Sequence, residues 1–176
     1  DISSVRLRKS RAEIALLKEA IRISEAALEA TLGEVRIGQT EKEVEAILLR
    51  QLFEHGADGL SFEPIVAAGD NSAQPHAHAR EDYRIKAGDA LLIDFGASHR
   101  GYNADITRTF FVGEVSDYDR AFYETVLAAN ERGRMETRAG VSAHQVDDAV
   151  QNVLETSQFA RFTRHKTGHG LGLDVH

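Results

Sequence analysis

Residues 91–110, LLIDFGASHRGYNADITRTF, read as strand, tight reversal, strand, with an aspartate in each arm, Asp94 and Asp105. If the chain turns about His99–Arg100, antiparallel partners have residue numbers that sum to 199, as those of Asp94 and Asp105 do. The two acids then stand opposite one another, Cβ atoms about 5 Å apart. Facing carboxylates in an apolar sheet repel, and burial adds to the penalty. A shared proton, a basic neighbour or a metal ion between them would relieve it. A plainer arrangement exposes one aspartate, pairs it with Arg100 or Arg108, or leaves Asp105 in a loop beside Asn103. A one-residue slip would put the acids on opposite faces. A metal site therefore needs a third ligand from elsewhere in the chain.

Upstream, residues 10–32 carry apolar side chains at Ile14, Leu17, Ile21, Leu28 and Leu32, with Ser10 and Glu13 spaced as a capping box. This predicts an amphipathic helix. A second helix is expected from about 40 to 55, capped by Thr40 and Glu43, striped by Val44, Ile47, Leu48 and Phe53, and ended by Gly56. Strands are expected at 61–69, 89–97 and 104–113, with a polar loop at 70–82, and helices at about 117–136 and 142–156. EVRIGQTEKEVEAIL (34–48) aligns with ETRAGVSAHQVDDAV (136–150) at an offset of 102, matching Gly38 to Gly140 and Thr40 to Ser142. Any helix–turn–helix shows some of this punctuation. As a true repeat it predicts two helix–helix–strand halves related by a pseudo-twofold axis, the second half incomplete at His176.

The composition is that of an ordinary globular protein of 176 residues, 42% hydrophobic and 28% charged, enough for one domain with a core. A net charge of −7 argues against nucleic-acid or anionic-membrane surfaces. The absence of cysteine excludes disulfides and thiolate metal sites. No apolar run is long enough to span a bilayer, and a cytoplasmic location is the expectation. Asp1 is not a natural start, so a cut upstream is expected.

RHKTGHGLGLDVH (164–176) contains His165, His169 and His176 among Gly168, Gly170 and Gly172. Flanking glycines let backbone pack closely and leave an imidazole accessible, and imidazole joins carboxylates on first-row divalent ions. The stretch is not a phosphate loop, since both the GK[ST] ending and the G-x-G-x-x-G spacing are missing. His76 follows Pro75 in the polar loop, with His78 as a competitor. A single histidine is more often a surface or satisfied core residue than a ligand.

Taken together and in order, SFEPIVAAGDNSAQPHAH, GDALLIDFGASHRGYNADITRTFFVG and HKTGHGLGLDVH resemble the pita-bread metallopeptidases, peptidase family M24, and among these the Xaa-Pro dipeptidases (prolidases) and Xaa-Pro aminopeptidases. The resemblance implies an α+β fold of two halves related by a pseudo-twofold. It implies a dinuclear metallopeptidase that hydrolyses Xaa-Pro bonds through a metal-bridging hydroxide. Two divalent ions (manganese, cobalt, zinc or iron, with manganese favoured) would be held by Asp94, by a bridging Asp105 and by His169. Two further glutamate ligands, one of them the proton-transfer base, would lie downstream. His76 and His176 would contact the substrate and stabilise the tetrahedral intermediate, and His165 would line the substrate pocket. The substrate would be a proline-containing di- or oligopeptide and the assembly a homodimer. Residues 1–9 would be the linker from a missing N-terminal domain, and 10–176 an incomplete catalytic domain, inactive alone. Other readings are a methionine aminopeptidase-like enzyme, a non-catalytic pita-bread module that binds peptides or proteins, and a hydrolase or lyase of non-peptide substrates on the same scaffold.

Overall fold

Capping boxes start three of the helices. The computed structural model describes residues 2–176 and opens with α1 (Ile2–Leu7), α2 (Arg11–Glu34) and α3 (Glu41–Glu54). Ser10 accepts from the Glu13 amide while Glu13 reaches back to the Ser10 amide, and Thr40 and Glu43 do the same for α3. Each reciprocal pair satisfies two of the donors that a helix start leaves unbonded. The six-residue α1 occupies most of the stretch expected to be a linker; Asp1 lies outside the described residues.

The buried faces match those expected in part: Leu28, Val44 and Leu48 are buried, and Ile21 and Leu32 pack half-buried against the core. α2 buries Ala20, Ile23, Ser24, Ala27, Leu28 and Thr31, while Ile14 is exposed. Small residues at 20, 24, 27 and 31 let the sheet approach closely, and the Ser24 hydroxyl accepts the Ala97 amide at 2.9 Å. α3 buries Val44, Leu48 and Leu52, and Phe53 stands exposed. Gly56 follows the helix at φ 100°, an αL position that glycine occupies without penalty.

The strands follow: β1 (Gly59–Leu60), β2 (Ile65–Ala68), β3 (Ala90–Phe95), β4 (Ala97–His99), β5 (Tyr102–Asn103) and β6 (Ile106–Phe111). They form two antiparallel sheets ordered β1-β4-β5 and β2-β3-β6. Between β4 and β5 the loop is Arg100–Gly101, with φ of 49° and 82°. Two consecutive positive φ values mark a type I′ turn, whose twist suits a hairpin. The reversal thus lies later than the sequence suggested. Asp94 pairs with Thr107 and Ser98 with Asn103, so partner numbers sum to 201 and the direct Asp94–Asp105 pairing is corrected. The physical reason is turn chemistry: glycine belongs inside the loop at 101, where φ is positive, not at its edge. The register places Thr107, not Asp105, opposite Asp94.

The hairpin is broken once, at Gly96. A Cβ there would come within 1.7 Å of the Ala104 carbonyl oxygen. Only a glycine allows so close an approach, and the break divides the hairpin between the two sheets. On the far arm it leaves Asp105 outside the ladder, between β5 and β6. Along β3 burial alternates: Leu91, Ile93 and Phe95 are buried against a core that includes Ile23, Leu48 and Val66, and Leu92 and Asp94 lie half-buried on the other face.

The chain divides into two compact units, one running through Glu114 and including Gly170–His176, the other Val115–His169. In the second, α4 (Asp117–Glu136) and α5 (Ala143–Glu155) are followed by a 3-10 turn, Ala160–Phe162. A Cβ at Gly133 would lie 2.8 Å from Val150 Cγ2, so the two helices pack closely there. Phe122 meets Phe159 and Phe162 edge-on, with centroids 5.0 and 5.7 Å apart. The repeat holds at the level of helix pairs. α2 and α4 end at Glu34 and Glu136, Gly38 and Gly140 have φ of 92° and 88°, and Ser142 and Gln145 form the counterpart of the Thr40–Glu43 box. Among the described residues no helix is long and apolar enough to cross a membrane.

Gly96→Ala is expected to destabilise the fold by about 3 kcal/mol or more, because the obstacle is a backbone oxygen that side-chain rotation cannot relieve. Urea unfolding measures it; an unchanged midpoint would contradict the crossing described here.

Candidate functional site

Asp94 sits on β3, the middle strand of its sheet, between Ile65 of β2 and Thr107 of β6. The Thr107 hydroxyl donates to Asp94 Oδ1 at 2.7 Å and thereby orients the carboxylate from the neighbouring strand. Asp105, also half-buried, lies just beyond the Gly96 crossing.

The last residues of the chain are fastened to β5 by Asn103. Its backbone amide donates to Gly172 O at 3.0 Å, and its side-chain amide donates to Leu173 O at 2.9 Å. Arg6 adds a 2.6 Å ion pair to Asp174. With residues 170–176 held in this way, ligand atoms of Asp105 and His176 come within 4.8 Å of one another. A carboxylate and an imidazole at that separation are a donor pair suited to a borderline divalent cation.

His165 and His169 are exposed and belong to the second unit. The segment between them is tied to α5. Gln151 donates to His165 O at 3.0 Å, and the Thr167 amide and hydroxyl donate to Asp147 Oδ1 at 3.0 and 2.8 Å. The bonds from Thr167 hold the Asp147 carboxyl below its usual range. His169 is the last residue of that unit, one peptide bond before Gly170.

His76 is exposed, in the loop after the 3-10 turn Gly69–Ala73, with φ of 54°. A non-glycine residue in that region costs on the order of 1–3 kcal/mol and persists only where its surroundings impose it. Ala77, next in sequence, is buried. Both ends of the loop meet one carboxylate. Glu41, the first residue of α3, is fully buried and accepts from the Ala68 amide at 2.8 Å, the Asn71 side chain at 2.9 Å and the Arg80 amide at 2.8 Å. The Arg80 guanidinium adds a 2.8 Å ion pair to Glu41, donates to Ala68 O and lies 4.1 Å over the Tyr83 ring. Burial alone would push the Glu41 carboxyl up; the hydrogen bonds from Arg80, Ala68 and Asn71 outweigh it and hold the group below its usual range.

Sequence reasoning missed Thr107, Asn103, Glu41 and Arg80. Thr107 needed the correct register. Asn103 acts on a segment about 70 residues away, and Glu41 reads as an ordinary first-turn acid inside the Thr40–Glu43 capping box.

Residues 15–176 match the model of metallopeptidase family M24. The chain belongs to that family. The M24 chain is similar to the Xaa-Pro dipeptidase of Pyrococcus horikoshii, 35% identical over 99% of this chain and 50% of that protein. Among solved structures it resembles an X-Pro aminopeptidase from Thermotoga maritima, 39% identical with TM-score 0.95, covering 99% of this chain and 49% of that one. It also resembles an Xaa-Pro dipeptidase from Bacillus anthracis, 40% identical with TM-score 0.95, again over 99% and 49%. The fold is thus the α+β pita-bread fold, and the M24 chain spans about half the length of the curated relatives it matches.

Because the folded carboxyl of Glu41 titrates below its unfolded value, its contribution to stability is complete above the unfolded pKa of about 4.3 and is lost as pH falls through the folded value. Stability measured by denaturant from pH 6 downward is expected to decline below about pH 4.3, and Glu41→Gln is expected to flatten part of that decline. An identical slope in the variant would remove Glu41 from the account.

Proposed function

We propose that this chain is part of the catalytic domain of an Xaa-Pro peptidase, a prolidase or Xaa-Pro aminopeptidase. The observation that carries the reading is the convergence of Asp105 and His176 at the end of the Asn103-anchored segment. Likeness to Xaa-Pro peptidases over 99% of the chain supports it. The metal site would be dinuclear, with Asp94 on one ion, Asp105 bridging and His169 adding an imidazole; manganese is favoured. Residues 1–9 would link to a preceding domain and 10–176 would form the catalytic part, in a cytoplasmic homodimer.

Two divalent ions, when bound, supply Lewis acidity that polarises the scissile carbonyl and acidifies water near neutral pH. The chain's own residues do the rest. Thr107 keeps the Asp94 carboxylate oriented, as outer hydrogen bonds do for metal ligands generally. His76 and His176 contact the substrate and donate hydrogen bonds to the oxygen on which charge develops. His165 lines the substrate pocket. The amide before proline is tertiary and carries no N–H for a protease to bind, so recognition must come from pocket shape and from these side chains.

Elemental analysis of the full-length protein carrying this chain, reconstituted with manganese, is expected to give two ions per chain. Asp105→Asn is expected to lower the ion count and abolish Xaa-Pro dipeptide turnover with the circular dichroism unchanged; wild-type turnover would sink the bridging role. His76→Ala is expected to cut kcat by about 100-fold or more at full metal occupancy. Cleavage of Met-Xaa peptides in preference to Xaa-Pro would favour the methionine aminopeptidase reading.

A further inference from the structure

Glu41 has no role in the chemistry proposed above, yet it is the most completely enclosed carboxylate near the loop that carries His76. Its four partners come from the two ends of that loop. Ala68 is the last residue of β2, Asn71 lies in the 3-10 turn that opens the loop, and Arg80 contributes both its backbone amide and its guanidinium where the loop closes. Asn71 also donates to His78 O at 3.1 Å, so the amide that reaches Glu41 also holds the backbone two residues after His76. Arg80 is itself fixed, by Asp70 at 3.1 Å and by the Tyr83 ring. Tyr83 in turn donates to Asp89, directly before β3. The network therefore runs from the start of α3, through both ends of the loop, to the strand that bears Asp94.

We propose that Glu41 is the positioning residue for His76: by gathering Ala68, Asn71 and Arg80 onto one carboxylate it closes the base of the loop and imposes the left-handed backbone at His76. It rests on the assignment of His76 to the substrate. An exposed residue with φ of 54° does not hold that conformation unaided, and apart from the buried Ala77 the loop between Gln74 and His78 is exposed. Beyond the packing of Ala77, the hydrogen bonds that restrain the loop lie at its ends, where the carboxylate is. A carboxylate suits the task because it has lone pairs for several donors at once, where an amide oxygen has two. Exchanging Glu41 for glutamine turns one oxygen into a donor that faces other donors and leaves Arg80 with only the exposed Asp70 as counter-charge.

The test uses the metal-loaded full-length protein carrying this chain. Glu41→Gln, His76→Ala and the double variant are compared for kcat and KM on an Xaa-Pro dipeptide, for metal content, and for amide hydrogen exchange over residues 70–79. Glu41→Gln is expected to lower kcat about 100-fold, the scale of a small misplacement of a catalytic group. KM and metal content stay near wild type, exchange in the loop rises at least about 10-fold, and exchange in β3 and β6 is unchanged. In the double variant Glu41→Gln adds less than about 3-fold to the loss from His76→Ala, because residues acting through one another are not additive. If Glu41→Gln does not fold, Arg80→Lys and Asn71→Ala give the same pattern with smaller losses; lysine keeps the charge without the planar fork. Unchanged loop exchange in the variants overturns the clamp, whatever His76 does. Fully additive losses overturn action through His76. An unaltered kcat in His76→Ala alone overturns the substrate role on which the catalytic consequence depends, and the exchange data separate that failure from failure of the clamp.

Discussion

The hairpin crosses itself at Gly96, and much of the first unit follows from that contact. A backbone carbonyl sits where any side chain would be, so the strands on either side cannot continue as one flat ladder. The near arm becomes β3 and β4, the far arm β5 and β6, and two small sheets result. Beside the crossing, Ser24 from α2 accepts the Ala97 amide, and Ser61 from the β1–β2 connection adds a second donor to the Ala97 carbonyl, which also accepts the Ala104 amide. The bend releases Asp105 from strand pairing and leaves Asp94 within it. The two acids therefore differ in setting. One is oriented by a threonine on the next strand, and the other lies in a short irregular segment beside the returning chain.

That return depends on Asn103. A side-chain amide and a backbone amide from one residue hold two successive carbonyls, Gly172 and Leu173, which fixes both position and direction of a segment with no regular structure of its own. Glycine at 172 lets the segment lie close to Lys9, whose Cε would be 3.1 Å from an added Cβ. The other two glycines differ: Gly168 takes a positive φ of 103°, and a Cβ at Gly170 would meet nothing within 4 Å. The same geometry brings His176 to Asp105, so the packing of the segment and the approach of an imidazole to that carboxylate come from one set of contacts.

The helix pairs show how local chemistry repeats. In both, a long helix ends, a glycine with positive φ turns the chain, and a hydroxyl residue with a Glu or Gln three positions on starts the next helix. These signals act over a few residues and survive any change in what the helices pack against. Glu41 marks the departure. The first copy has a buried carboxylate after its cap, and the second has Ala143 at that position.

The sequence by itself determined the helix boundaries at Ser10, Thr40 and Ser142, the helix-pair repeat, the strand content and the family resemblance. Each depends on neighbours in the chain or on motifs long enough to be specific. It also supplied Asp105 and His176 as candidates. It placed the reversal too early, since the preference for Arg100–Gly101 as a type I′ loop follows from backbone twist that apolar alternation does not encode. It found Leu28, Val44 and Leu48 on the buried faces of α2 and α3 but misplaced Ile14 and Phe53 and missed Ala20, Ser24 and Ala27, which are buried by what packs on them rather than by their hydrophobicity. Tertiary structure alone decided that Thr107 faces Asp94, that Asn103 holds the end of the chain, and that Glu41 collects Ala68, Asn71 and Arg80. All three are hydrogen bonds between polar groups distant in sequence, and polar residues carry no periodic signal that says where their partners are.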